Sequence, residues 1–124
     1  MTALSKTEEQ LMEYLWQIEK GFLKDLIDCF PEPRPAITTV STLIKRMIEK
    51  GFVGHKLYGN SREYYPLVSK SDYFAKHFKG IIKNNFNDSV MQFASFFTKA
   101  TNLTAEQLED LRKIVDQEIQ KKKE

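Results

Sequence analysis

The spacing of apolar residues predicts two helices at the start of the chain. Ser5 and Glu8 form a capping box, in which each side chain satisfies a free backbone N–H at the start of a helix. An apolar stripe at helical spacing follows as far as Ile18, and Gly21 suits the helix end. A second, short helix is predicted over residues 22–30.

A third helix is predicted over residues 36–50, and it has two contrasting faces. Its apolar face comprises Val40, Leu43, Ile44, Met47 and Ile48. Its opposite face carries hydroxyl groups and cations, contributed by Thr38, Ser41, Thr42, Lys45 and Arg46. A helix of this kind can pack by one side and read the major groove of DNA with the other.

The period of the apolar pattern then changes from about 3.6 residues to about 2 residues, which is typical of strands. One strand is predicted over residues 52–57, a turn at 58–61 and a returning strand over 63–68. Three helices followed by a hairpin predict a mainly α fold with a small β-hairpin. We therefore expect a winged helix-turn-helix DNA-binding domain over residues 1–70.

Residues 71–124 are predicted to form a helical dimerisation region. Thr104 and Gln107 form another capping box. The region carries more aromatic surface than three short helices can bury alone, so a symmetric dimer interface is the better interpretation. The residues expected in this interface are Phe74, Phe78, Phe93, Phe97, Leu108, Leu111 and Val115.

Charge is distributed unevenly along the chain. The whole chain carries a net charge of +2, but residues 34–62 contain six basic residues and one acidic residue, a local charge of +5. The remainder therefore carries −3. A local basic patch suits a surface that faces phosphates, and Lys56 and Arg62 extend it onto the predicted hairpin.

Each of these features has an ordinary explanation when it is taken alone. A polar helix face and a basic hairpin are most often simply solvated surfaces. Their order along the chain favours DNA binding. Two alternatives remain open: a winged helix used only for protein–protein interaction, and a regulator that senses a small ligand between the wing domain and the dimer helices.

The sequence gives no support for a disulfide, a metal site or a catalytic site. Cys29 is the single cysteine, so no internal disulfide can form, and the protein is expected in the cytoplasm. His55 and His77 lack metal-ligand spacing, and no nucleotide-binding or metalloprotease motif is present. We expect no enzyme activity, cofactor, metal or small-molecule substrate. No apolar run approaches the roughly 20 residues of a membrane span, so no membrane insertion is expected.

Three segments carry a resemblance to a known family. They are LSKTEEQLM at residues 4–12, which leads to Leu15 and Trp16, TVSTLIKRM at 39–47 with KGFV at 50–53, and YYPLV at 64–68. On these segments the chain resembles the penicillinase-repressor (BlaI/MecI/CopY-type) family of winged-helix transcriptional regulators, over nearly its whole length.

The resemblance implies a homodimeric repressor that occupies a palindromic operator on double-stranded DNA. It implies DNA contacts from Thr38, Thr39, Ser41, Thr42 and Arg46, with wing support from Lys56 and Arg62.

The resemblance also implies a mode of control, which is an antibiotic response. In β-lactam-responsive members, a membrane-bound sensor metalloprotease triggers cleavage at a place that matches Gln92-Phe93 here. Copper-responsive members carry a C-terminal Cys-x-Cys, and this chain has no cysteine after Cys29, so direct copper sensing is not expected.

Overall fold

A computed structural model describes residues 3–124, and it is mainly helical with one small antiparallel sheet. The chain divides into two compact units, the first ending at Ala75 and the second beginning at Lys76. The predicted fold class is confirmed. The assignment of DNA binding to residues 1–70 and of dimerisation to 71–124 stays a prediction.

Three helices open the first unit, and their bounds lie close to those predicted. They are α1 (Lys6–Ile18), α2 (Leu23–Cys29) and α3 (Ile37–Glu49). The capping box predicted at the start of α1 is present, because Ser5 Oγ accepts from the Glu8 backbone N–H and Glu8 Oε1 accepts from that of Ser5.

The sheet has one strand more than the sequence predicted. Strand β1 (Gly21–Phe22) pairs with β3 (Ser61–Pro66), which also pairs with β2 (Val53–Tyr58), so the order is β1-β3-β2. Gly21 was expected to end the first helix, and this prediction is wrong. Helix α1 ends earlier, with Glu19 as its C-cap at a positive φ of 69°.

The core of the first unit is built from the apolar faces of α1, α2 and α3 packed against the sheet. Its buried apolar residues are Leu11, Met12, Leu15, Leu26, Phe30, Val40, Ile44, Met47, Phe52, Val53 and Tyr64. These side chains come from α1, α2, α3, β2, β3 and the residues that flank them, so one continuous core holds α3 and the hairpin together.

Helix α4 (Lys70–Asn85) begins in the first unit and continues into the second, which also contains α5 (Val90–Ala100) and α6 (Ala105–Lys123). The capping box predicted at Thr104 and Gln107 is present. No residue from Lys76 to Glu124 is buried. The rings of Phe78, Phe86, Phe93, Phe96 and Phe97 contact one another at centroid distances of 5.2–6.3 Å.

Candidate nucleic-acid interface

Helix α3 presents a polar face to solvent because its apolar face is fixed in the core. Val40, Ile44 and Met47 are almost fully buried and set the rotation of the helix. All six polar residues predicted to contact DNA from this helix are exposed: Thr38, Thr39, Ser41, Thr42, Lys45 and Arg46. The structure therefore brings the predicted helix residues together on one surface.

The N-terminus of α3 lacks the side-chain hydrogen-bond acceptor that is present at the start of the other helices of residues 3–124. Its N-cap is Ala36, which makes no capping hydrogen bond. Over residues 3–124, each of the other five helices has a side-chain acceptor at its start, provided by Ser5, Asp25, Ser69, Ser89 and Thr104. Free N–H groups and the helix dipole favour a phosphate at this end of α3.

One hydroxyl on this face is already oriented. Thr42 Oγ1 donates a hydrogen bond to the backbone carbonyl of Thr38 at 2.9 Å. In this arrangement the lone pairs of the Thr42 oxygen are free to accept hydrogen bonds. Amino groups on the major-groove edges of adenine and cytosine are suitable donors.

Two of the six basic residues of the patch make ion pairs, one largely buried and one exposed. Lys50 Nζ lies 2.8 Å from Glu8 Oε1, and Arg34 lies 3.1 Å from Glu32. Within the described residues, the other four make no ion pair and are exposed: Lys45, Arg46, Lys56 and Arg62. These four cations therefore lie on the surface without an acidic partner among residues 3–124.

The register of the hairpin separates the two basic residues of the wing. Lys56 pairs across the strands with Glu63, and Arg62 pairs with Leu57. Because neighbouring residues of a strand point to opposite faces, Lys56 and Arg62 lie on opposite faces of the hairpin. The Lys56 ammonium also lies 5.3 Å from the centre of the Tyr58 ring. The wing thus presents one cation on each side of its tip.

The Glu8–Lys50 pair joins the start of α1 to the end of α3. Glu8 is only 3% exposed, and Lys50 Nζ also donates to the Ala3 carbonyl at 3.3 Å. Burial acts to raise the pKa of Glu8, but hydrogen bonds from Lys50 and Ser5 outweigh it and lower that pKa. Lys50 therefore holds the end of α3 against the start of α1, although in the sequence its charge counts in the basic patch.

A second set of contacts ties α1 to the segment that follows the sheet. Tyr73 donates from its hydroxyl to Glu9 at 2.8 Å, and the Trp16 indole donates to the Val68 carbonyl at 2.8 Å. Burial, followed by the contact with Glu9, raises the pKa of Tyr73 to about 12. These bonds anchor the segment from Val68 to the first turn of α4 against α1.

The residues predicted to form a dimer interface fall in both units. Phe74 belongs to the first unit, where its ring contacts Trp16 and Tyr73 at 6.1 and 5.1 Å. The other six lie in the second unit and are half-buried or exposed: Phe78, Phe93, Phe97, Leu108, Leu111 and Val115.

The predicted cleavage bond, between Gln92 and Phe93, lies inside the first turns of α5. The Gln92 backbone N–H donates to Ser89 Oγ at 3.1 Å, and Asn87 donates to the Gln92 side chain at 3.1 Å. Two residues just before the helix, Asn87 and Asp88, have positive φ values of 55° and 57°.

Three other observations bear on the class of protein. Among residues 3–124, no group of three or more His, Cys, Asp or Glu side chains could hold a metal ion. Burial, followed by the charges of Asp25 and Asp28, raises the pKa of the Cys29 thiol, which makes it a poor nucleophile. In the part of the chain that the structure describes, no helix is both long and apolar enough to cross a membrane.

Three helices, a small sheet with a basic hairpin and an uncapped polar third helix define a winged-helix DNA-binding protein. The sequence model of the family described as penicillinase repressor matches residues 4–117. The chain belongs to this family, and it is a transcriptional repressor rather than an enzyme. The resemblance seen in the sequence is confirmed.

Individual relatives cover most of the chain. The methicillin resistance regulatory protein MecI of Mammaliicoccus sciuri is 29% identical over 118 residues, which are 91% of this chain and 93% of that protein. The penicillinase repressor of Bacillus licheniformis is 22% identical over 122 residues, 98% of this chain and 95% of that protein. The solution structure of the DNA-binding domain of the repressor BlaI matches with a TM-score of 0.50 at 25% identity, covering 56% of this chain and 87% of that domain.

Proposed function

We propose that this repressor works as a homodimer that reads a palindromic operator with helix α3 and its wing. Residues 1–70 bind DNA in this proposal, and residues 71–124 hold the dimer together. The observation that carries it is the N-terminal end of α3. There, an uncapped helix start, four exposed hydroxyls and two unpaired cations share one surface. Recognition helices contact base edges with their N-terminal residues.

Roles for the individual residues follow from their positions. The four unpaired cations, Lys45, Arg46, Lys56 and Arg62, contact phosphates and set the salt dependence of binding. Thr38, Thr39, Ser41 and Thr42 lie nearest the uncapped end and contact base edges or the adjacent backbone. The two wing cations grip the backbone on either side of the groove that the hairpin tip enters.

The experiment is a titration of DNA from upstream of the chain's own gene, followed by fluorescence anisotropy at two salt concentrations with scrambled competitor. Binding should survive the competitor. Arg46→Ala should reduce the magnitude of the slope of log K against log salt by about 1.8, because the dimer loses one phosphate contact in each subunit. Lys113→Ala, which removes an equal charge on α6, serves as the control and should leave the slope unchanged. Binding that scrambled DNA abolishes would contradict operator recognition and favour a protein-interaction module.

The proposed dimer rests on the apolar surface of the second unit. Val90, Met91, Phe96 and Ile114 are each more than half exposed. Such a surface on a 49-residue segment is typical of an interface, since isolated exposed patches favour association. Sedimentation equilibrium should give a dimer at micromolar concentration, and a monomer would remove the basis for palindrome reading.

We further propose that cleavage between Gln92 and Phe93, triggered by a membrane-bound sensor metalloprotease, relieves repression. Proteases bind extended chain, so the first turns of α5 must unwind before this bond is cut. The adjacent Asn87 and Asp88 already interrupt the helical backbone and offer a starting point. Mass spectrometry of the chain from cells exposed to a β-lactam should find fragments that end at Gln92. An intact chain during full derepression would contradict this mechanism.

A further inference from the structure

The first residue of the recognition helix is an exposed aliphatic residue. Ile37 begins α3 and is 65% exposed. The other large apolar side chains of the helix are buried or packed against the core, namely Val40, Leu43, Ile44, Met47 and Ile48. Ile37 is thus the one apolar side chain of α3 that points to solvent.

Folding gives no reason for isoleucine at this position. An exposed side chain gains little from the hydrophobic effect, and isoleucine is a weaker helix former than alanine. The residue lies at the uncapped end of α3, beside the exposed hydroxyl of Thr38 and one turn before that of Ser41. Ile37 therefore adjoins the surface of α3 to which base contacts are assigned in the proposed function.

We propose that Ile37 recognises thymine by contacting its C5-methyl group. This inference rests on the proposed operator binding. On the major-groove edges of the four bases, the thymine methyl is the apolar group, and aliphatic side chains are its usual partners. A phosphate held at the N-terminus of α3 would keep the first turn close to the groove, so Ile37 lies within reach of base edges rather than of solvent. Contact with the methyl group removes apolar surface of both partners from water.

The test replaces thymidine in the DNA by deoxyuridine, which differs from it only in lacking the C5-methyl group of the base. Duplexes of the footprinted upstream site are synthesised with one thymine replaced at a time, and symmetrically in both half-sites. Wild type should lose about fourfold in affinity at one position of each half-site, the value for one buried methyl group. Replacing both symmetric positions should cost about 15-fold.

One protein variant, combined with the replacement of thymine by uracil, forms a double-mutant cycle between protein and DNA. A second variant serves as its control. Ile37→Ala should bind the thymine duplex about as well as wild type binds the duplex with uracil in both half-sites, because the variant loses the contact in both subunits. Its affinity should not change when thymine is replaced by uracil. Leu67→Ala, which removes an aliphatic side chain that is 56% exposed outside α3, should keep the wild-type sensitivity. Thermal unfolding should show that both variants are as stable as wild type, since both sites are exposed.

The outcomes separate this inference from the proposed function. Loss of all competitor-resistant binding by wild type would overturn operator recognition itself. Specific binding that is insensitive to uracil at every position would leave operator recognition standing and overturn the role of Ile37. Sensitivity that persists in Ile37→Ala would assign the methyl contact to another side chain and overturn the proposal as well.

Discussion

The two compact units of this chain differ in how far their apolar side chains are buried. In the first unit, side chains such as Leu11, Leu15 and Leu26 have no exposed surface and meet in one continuous core. In the second unit no residue is buried, although Phe86, Phe93 and their neighbours form a chain of ring contacts. The aromatic content alone does not reveal this difference, because both units are rich in it.

The difference in burial indicates a different source of stability for each unit. A closed core supplies its own hydrophobic free energy, so the first unit should be stable at any concentration. An open arrangement gains that free energy only when another surface covers it, so the stability of the second unit should depend on association. This difference supports the proposed dimer, and it can be tested with matched substitutions.

The largest effect is expected in the core of the first unit. Leu15→Ala should lower the free energy of unfolding by about 3 kcal/mol, because it removes a fully buried side chain and leaves a cavity. Chemical denaturation at several protein concentrations measures this, and the loss should not change with concentration. If the loss disappeared at high protein concentration, the stability of the first unit would also depend on association, and the two units would not differ in this respect.

The converse substitution addresses the second unit. Val115→Asp places a charge on a side chain that is 49% exposed, and it should weaken dimerisation by about 100-fold if that side chain becomes buried between subunits. Gln117→Asp, at an exposed position on the opposite side of α6, is the control and should leave the dimer intact. Sedimentation equilibrium distinguishes them, and equal behaviour of the two variants would place the interface elsewhere.

A smaller effect should follow from the ion pair of the first unit. Because the folded state lowers the pKa of Glu8, its contribution is present above the ordinary value of 4.5 and is lost as pH falls through the lower folded value. Glu8→Gln should cost about 2 kcal/mol at pH 7, less than a fully buried pair, because Lys50 keeps a quarter of its side chain exposed. The penalty should shrink towards pH 3 in urea denaturation.

Glu49→Gln provides the control for this pair, since Glu49 is exposed and makes no ion pair within residues 3–124. Its stability should follow that of wild type at both pH values. A penalty for Glu8→Gln that is constant down to pH 3 would show that packing, rather than charge, holds the start of α1 against the end of α3.

The smallest effect on stability should be a gain. Ala36→Asp supplies the missing cap of α3 and should raise the stability of the first unit by about 1 kcal/mol. The new carboxylate occupies the proposed phosphate position, so operator affinity should fall by about tenfold. Ala36→Ser, a cap without charge, should give a similar gain and a smaller loss of affinity. A capped helix that binds DNA as tightly as wild type would refute the phosphate site.

Much of the first unit could be predicted from local sequence signals. The Ser5–Glu8 box, the two faces of α3 and the hairpin all follow from spacings within a few residues. Strand β1 could not be predicted, because two residues have no periodicity and their conformation is set by pairing with β3. Gly21 was therefore interpreted as a helix stop, a role that glycine fills equally well.

The candidate site was less completely predictable than the fold. Lys50 counted as part of the basic patch because its partner, Glu8, lies 42 residues earlier in the chain. The separation of Lys56 and Arg62 requires the strand register, which the two-residue turn at Gly59 and Asn60 sets. The uncapped start of α3 was visible as an alanine at the cap position. It is informative only in comparison with the other helices of residues 3–124, each of which has a side-chain acceptor at its start.

The closed core of the first unit has a consequence for how a cut in α5 could act. Cleavage after Gln92 would leave every residue of that core in one fragment, so this fragment should remain folded. In the proposed dimer such a cut would remove avidity, because two linked DNA-binding units raise each other's effective concentration at the operator and separated units bind independently. The fragment would then dissociate because a single unit binds the operator more weakly at the same concentration. It would leave the operator as a folded protein, and cellular proteases would degrade it afterwards.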